Sequence, residues 1–165
     1  MKRIILLRHA KTEPYDYHKN DFKRNLTERG KADSHIITAV LERNGYKIDH
    51  IVSSSANRAQ QTATLFAEDF NLDKELIECH QSIYDGLTTQ DLLNLLSSTD
   101  DGIETLLFVG HNPDIARFAY RLTKDFSQHA PTCCAIVLET EIETWKNLGE
   151  KDFKLKDIFI PKTYK

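Results

Sequence analysis

The stretch Ile4-Ile5-Leu6-Leu7-Arg8-His9-Ala10 decides the fold. Four consecutive aliphatic residues without polar alternation read as a β-strand covered on both faces, the usual state of a strand in a parallel sheet. The run then stops on a fixed cation and a titratable imidazole. Two further segments repeat this arrangement. Ile51-Val52 leads into Ser53-Ser54-Ser55-Ala56-Asn57-Arg58, and Leu106-Leu107-Phe108-Val109 leads into Gly110-His111-Asn112-Pro113. Two arginines and two histidines therefore follow three predicted strands.

Helical segments alternate with these strands, a pattern that favours an α/β fold. Leu26-Thr27-Glu28-Arg29-Gly30 opens a segment with Ile36, Ile37, Val40 and Leu41 on one face, and Gly45 ends it. A second helix starts near Ala56 and buries Ala59, Ala63, Phe66 and Phe70. Thr88, with Asp91 three residues on, caps another that carries Leu92, Leu93, Leu95 and Leu96. His111-Asn112-Pro113 reads as a helix start with Asn112 as N-cap and Pro113 in the first turn, so His111 falls at a strand-to-helix corner and Ile115, Ala119 and Leu122 face the core. Two or three late strands are expected, at Ala135–Leu138, Thr144–Leu148 and, as the third, Phe153–Ile160, with antiparallel edge strands among them because Thr144 follows too closely for a crossover helix. Trp145 falls in the alternating pattern of the second.

The length of 165 residues, 40% of them hydrophobic, predicts one domain over residues 1–165 with a substantial core. A net charge of −3 argues against a general nucleic-acid binder, which needs a basic surplus. Between Lys2 and Lys31, however, basic residues outnumber acidic ones; this is either a solvated surface or a field that draws anions toward Arg8. Arg8 cuts the first apolar run short of a secretory signal, which needs roughly 7–15 apolar residues, and no stretch has the length of a membrane span. Cys79, Cys133 and Cys134 make a poor disulfide framework, and the histidines lack the spacing of a zinc site. The expectation is a reduced, cytoplasmic protein without metal or other cofactor, and with neither nucleic acid nor membrane as partner.

In open α/β sheets, ligands bind beyond the carboxyl ends of the strands, where helix N-termini favour anions. Arg8, His9, Arg58 and His111 all map to that rim. Two guanidiniums can grip the equatorial oxygens of a phosphoryl group, and a neutral imidazole offers a nucleophilic nitrogen at physiological pH. The quartet reads as a phosphoryl-transfer site.

With those residues in place, the chain resembles the histidine phosphatase, or phosphoglycerate mutase-like, superfamily. The resemblance rests on Arg8-His9-Ala10, Leu26-Thr27-Glu28-Arg29-Gly30, Ser53-Ser54-Ser55-Ala56-Asn57-Arg58-Ala59-Gln60-Gln61-Thr62 and Val109-Gly110-His111-Asn112-Pro113. It is most similar to the small SixA-like branch of phosphohistidine phosphatases. The resemblance implies a three-layer α/β/α sandwich around a mostly parallel sheet. It also implies that His9 attacks phosphorus and is transiently phosphorylated, while Arg8, Arg58 and His111 grip the non-bridging oxygens. The implied substrate is a phosphorylated protein carrying phosphohistidine or, alternatively, a small phosphorylated metabolite; a non-catalytic phosphate-binding module is the rival of another class.

Some positions depart from the superfamily pattern. Ala10 replaces the usual glycine, Asn25 stands where proline often precedes Leu-Thr, and Asn112 replaces the aspartate acid of acid-phosphatase relatives. Asp85, in Ser82-Ile83-Tyr84-Asp85-Gly86, is the candidate general acid, with a turn residue as the alternative. Without a strong acid, an imidazole leaves more readily than an alkoxide, which favours N-phosphorylated substrates. The short interval between Arg58 and His111 leaves no room for a long insertion over the site. Lys11 and Thr12 read as surface loop. Tyr15, Tyr17 and His18 form either a recognition lip or the packing of that loop, with packing the expected state, and His35, His50, His80 and His129 have no evident partners.

Overall fold

The computed structural model describes residues 1–165. Its centre is a six-stranded sheet of β1 (Lys2–Arg8), β2 (His50–Ser54), β3 (Glu78–His80), β4 (Thr105–Gly110), β5 (Ala135–Thr140) and β6 (Lys154–Phe159), in the spatial order β3-β2-β4-β1-β5-β6. β1 pairs in parallel with β4, and β2 in parallel with both β4 and β3, whereas β5 runs antiparallel to β1 and to the edge strand β6. The helices are α1 (Glu28–Arg43), α2 (Asn57–Asp69), α3 (Gln81–Asp85), α4 (Thr89–Ser97) and α5 (Asp114–Thr123).

The continuous apolar runs follow from burial on both faces. Ile5, Leu7, Leu107, Val109, Ala135 and Val137 pack under α1 and α2; Ile4, Leu6, Leu106, Phe108, Ile136 and Leu138 pack under α3, α4 and α5. Each of β1, β4 and β5 thus feeds two cores, and an unpaired polar residue on either of their faces would be stranded in one of them. This is the expected three-layer α/β/α arrangement. The helix after β1 lies on one face and the helix after the adjacent β4 on the other, so a crevice opens between the carboxyl ends of these two central strands.

Local signals set most of the helix ends. The Thr27 hydroxyl accepts from the Gly30 amide at the start of α1, and Thr88 and Asp91 form a reciprocal capping box at the start of α4. After α1 the chain turns through Gly45 at φ +82°, a conformation that glycine adopts without steric cost.

The expected helix start at Asn112 is corrected. Helix α5 begins at Asp114, no side chain caps it, and the Asn112–Pro113 peptide is cis. Asn112 instead turns inward, where its Nδ2 donates to the Ala130 carbonyl at 2.8 Å. The strand expected at Thr144–Leu148 is also absent. Asp101 accepts from the Thr144 hydroxyl and the Trp145 amide, and the Trp145 indole donates to the Ile103 carbonyl at 2.8 Å; this segment is therefore a loop that drives a fully buried Trp145 into the core. The short strand β3 had no periodic signal to announce it. No helix is long and apolar enough to cross a membrane.

Candidate active site

Arg8 closes β1 and His9 follows it, still tied to β4 by the His9 amide donating to the Gly110 carbonyl at 3.0 Å. Behind them the Cys133 amide donates to both the Arg8 and His9 carbonyls, with Cys133 itself left-handed at φ +59°. The backbone carrying the Arg-His pair is thereby held from two sides. Arg58 enters from the first turn of α2, and His111 from the corner after β4.

The four predicted side chains meet. The His9 and His111 rings lie 5.3 Å apart between centroids, both imidazoles feel the charges of Arg8 and Arg58, and the two arginines feel each other. Burial, opposed by the Ala10 carbonyl contact and aided by His111 and the two guanidiniums, pushes His9 down to about 3. Burial and then Arg58 push His111 down to about 4. Both rings are therefore neutral at pH 7.

A neutral imidazole carries one N–H, and its position decides what the ring can do. The Nδ1 of His9 lies 2.8 Å from the Ala10 carbonyl, an oxygen that only accepts, so the proton sits on Nδ1 and Nε2 is left with its lone pair. His111 Nε2 lies 2.7 Å from the Ser54 hydroxyl. Among the few buried polar atoms with no protein partner are Arg8 Nε, Arg58 Nε and His111 Nδ1. Buried polar nitrogens are rarely unpaired, and each of these belongs to the predicted quartet.

The surroundings supply what sequence reading missed. Asp21, in a short 3-10 turn over residues 21–23 that follows the loop after β1, accepts from Arg58 Nη2 at 3.2 Å, Arg24 Nε at 2.9 Å and the Tyr84 hydroxyl at 2.9 Å, while its carbonyl accepts from Arg58 Nη1 at 2.8 Å. Partial burial raises the Asp21 carboxyl, but the Tyr84 hydroxyl and the two cations outweigh it and hold the group below its ordinary value, ionised. The Tyr84 ring meets that of His111 edge-on at 5.8 Å and lies 5.8 Å from the Arg58 guanidinium. Arg8 Nη1 donates to the Ala130 carbonyl at 3.1 Å, sharing that acceptor with Asn112. Asp21 and Arg24, three residues apart, resemble any exposed helical ion pair, so no sequence signal marked them.

Asp85 does not join the group. It is exposed at the end of α3, and its side chain meets only Gln81, at 3.3 Å; its neighbour Tyr84 is the residue that faces the quartet. Tyr15, Tyr17 and His18 pack only on the surface of their loop, the Tyr17 and His18 rings 4.1 Å apart between centroids and Tyr15 6.0 Å from the Arg24 guanidinium. Tyr15 and Tyr17 are 67% and 78% exposed, too open to hold the segment from within. Three of the outlying histidines do have acidic partners, His35 with Asp69 and both His50 and His80 with Glu78. No cluster of three or more His, Cys, Asp or Glu side chains is placed to hold a metal ion.

Fold and crevice together define an α/β protein with two arginines and two neutral histidines gathered at the switch point of its sheet, an arrangement suited to a tetrahedral oxyanion. Comparison with known proteins gives the family. Residues 4–101 match the model of the histidine phosphatase superfamily (branch 1), and the chain belongs to that superfamily. An uncharacterized chloroplastic protein of Arabidopsis thaliana is 30% identical over 97% of this chain and 78% of its own length. Pgam5, a mitochondrial serine/threonine-protein phosphatase of Drosophila ananassae, is 33% identical, but over only 46% of this chain and 26% of its own. Among solved structures, an Agrobacterium tumefaciens protein assigned as the phosphohistidine phosphatase SixA superposes with a TM-score of 0.78 at 27% identity, covering 97% of this chain and 99% of that one. The protein histidine phosphatase SixA complexed with tungstate superposes at 0.77 with 18% identity over 99% of each chain, a likeness of fold. Together these findings support phosphatase activity.

Proposed function

We propose that this chain is a phosphohistidine phosphatase that works without a metal, through a phosphohistidine intermediate on His9. The carrying observation is the pairing of one bare imidazole nitrogen, His9 Nε2, with two buried guanidinium N–H groups that have no protein acceptor, on Arg8 and Arg58, and the unpartnered Nδ1 of His111 beside them. In this reading those three groups, with the remaining guanidinium hydrogens, hold the non-bridging oxygens and spread the transition-state charge. The His9 Nε2 lone pair attacks phosphorus, the bond from phosphorus to the substrate's imidazole nitrogen breaks, and that imidazole leaves with the electron pair and takes a proton from solvent. Water then attacks phosphorus, the phosphorus–His9 bond breaks, and phosphate leaves with His9 neutral again.

The missing acid supports a P–N substrate. Asp21, the carboxyl group gathered against Arg58 and Tyr84, is held ionised and has no proton to give, while Asp85 lies apart. An alkoxide leaving group would depart unassisted, whereas an imidazole departs readily. The absence of a long insertion between Arg58 and His111 leaves the rim open to a side chain presented by another protein. Pgam5, a serine/threonine-protein phosphatase, supports a protein substrate, although the bonds its name implies are P–O esters and not P–N. All three cysteines are free thiols, which suits a reducing compartment such as the cytoplasm.

The test is phosphate release from a phosphohistidine-bearing carrier protein by wild type and His9→Ala, with a chelator present. Release by wild type alone is expected; equal release by both rejects the assigned nucleophile. Faster turnover of p-nitrophenyl phosphate or sugar phosphates than of the carrier would favour a small-molecule phosphomonoesterase, and vanadate binding without turnover a silent module.

A further inference from the structure

We propose that Ser54 sets the tautomer of His111, placing the ring proton on Nδ1 so that this imidazole meets the phosphoryl group as a hydrogen-bond donor. The inference rests on the reading of His111 as an oxyanion ligand and assigns a positioning residue behind it.

Ser54 is the last residue of β2, and His111 follows β4, the strand paired with β2 in parallel. That pairing brings the two side chains together at the carboxyl edge of the sheet, with Ser54 Oγ 2.7 Å from His111 Nε2. Ser54 has no exposed surface. Its oxygen already accepts from the Ala56 amide at 3.2 Å, and its own hydroxyl hydrogen finds no acceptor other than His111 Nε2. A buried hydroxyl that can donate in only one direction does so. The Ser54 hydroxyl therefore donates, Nε2 accepts, and the single proton of the neutral ring is left on Nδ1. Burial and Arg58 keep the ring neutral, so a second proton does not blur the assignment.

The assignment matters because phosphoryl oxygens only accept. Nδ1 is buried and has no protein partner. With the proton on Nδ1, the ring offers an N–H to the anion. With the proton on Nε2, a lone pair would face the anion and repel it. His9 provides the complement, since its Nδ1–H is spent on the Ala10 carbonyl and its Nε2 lone pair is left free. Both rings thus hold the same tautomer but present opposite nitrogens, one as nucleophile and the other as donor. Different partners, a backbone carbonyl and a serine hydroxyl, produce this division between rings 5.3 Å apart.

The experiment is nitrogen-15 NMR of histidine-labelled protein at pH 7.5, with the His111 ring assigned by its loss in His111→Gln. Protonated and bare ring nitrogens resonate far apart, so each tautomer is read directly. Wild type is expected to show protonated Nδ1 and bare Nε2 on His111. Ser54→Ala shifts the ring toward Nε2–H and weakens vanadate binding by about tenfold, the equivalent of one good hydrogen bond. Ser54→Thr, which keeps the hydroxyl, retains the wild-type tautomer and affinity, and it serves as the folded control should the alanine variant be unstable. A wild-type His111 protonated on Nε2, or an unchanged tautomer in Ser54→Ala, overturns the proposal. The expected tautomer in a protein that releases no phosphate from any substrate would refute the phosphatase reading and uphold the Ser54 assignment, because the NMR signal does not depend on turnover.

Discussion

Two neutral histidines buried among cations make stability depend on pH in a calculable way. His9 and His111 lie at about 3 and about 4 in the native protein, against about 6.5 in an unfolded chain. The folded values are the lower ones. Well above pH 6.5, as at pH 7.5, neither state binds the protons and the histidines cost almost nothing. As pH falls from 6.5 toward 4, the unfolded chain takes up protons that the native pocket refuses, and stability is lost. At pH 5.5, one unit below the unfolded value, each group lowers stability by about 1.4 kcal/mol relative to pH 7.5, and the pair by about 3 kcal/mol. That is a large share of the 5–15 kcal/mol typical of a domain. The assay is urea unfolding at both pH values for wild type and the double variant H9Q/H111Q, whose amides do not titrate. The double variant is expected to lose about 3 kcal/mol less than wild type over this interval, since the carboxylates common to both cancel. Saturating inorganic phosphate should narrow the difference, because a bound dianion favours the imidazolium forms. Equal losses in the two proteins would refute the neutral, desolvated state assigned to this pair and with it the bare Nε2 of His9.

Other consequences can be checked singly. Gly30→Ala is expected to cost at least about 2 kcal/mol in urea unfolding and to lower turnover, because the added Cβ would stand 2.2 Å from the Lys11 carbonyl in the loop that leads from His9. Trp145→Ala should destabilise by about 3–5 kcal/mol, and Trp145→Phe by about 1–2 kcal/mol from the lost indole bond to Ile103; similar values for the two would mean that the loop is not the core plug described. Asp85→Asn should leave kcat/KM on a phosphohistidine carrier within about twofold of wild type, as expected of an exposed side chain bonded only to Gln81; a drop of a hundredfold would restore it as the acid.

The sequence by itself determined the strands β1, β2 and β4, the helices α1, α2 and α4 between them and the four residues at the strand ends. Those features are local: continuous apolar runs need cover on both faces, caps such as Thr27 and Thr88 bond within three residues, and a side chain that follows a central strand has nowhere to sit but the rim. Tertiary structure alone decided the rest. Asn112 resembles a cap, yet the Ala130 carbonyl, distant in sequence, claims its amide; Thr144–Leu148 alternates like a strand, yet the Asp101 carboxylate and Ile103 carbonyl fold it into a loop. Asp85 and Tyr84 are neighbours in sequence, but the turn of α3 exposes the first and directs the second toward Asp21 and His111. Ser54 and Asp21 meet the site through bonds spanning 57 and 37 residues, to His111 and Arg58 respectively. Periodicity records which face of an element is apolar, whereas a hydrogen bond between distant segments depends on where the packed sheet and its loops bring two polar atoms together.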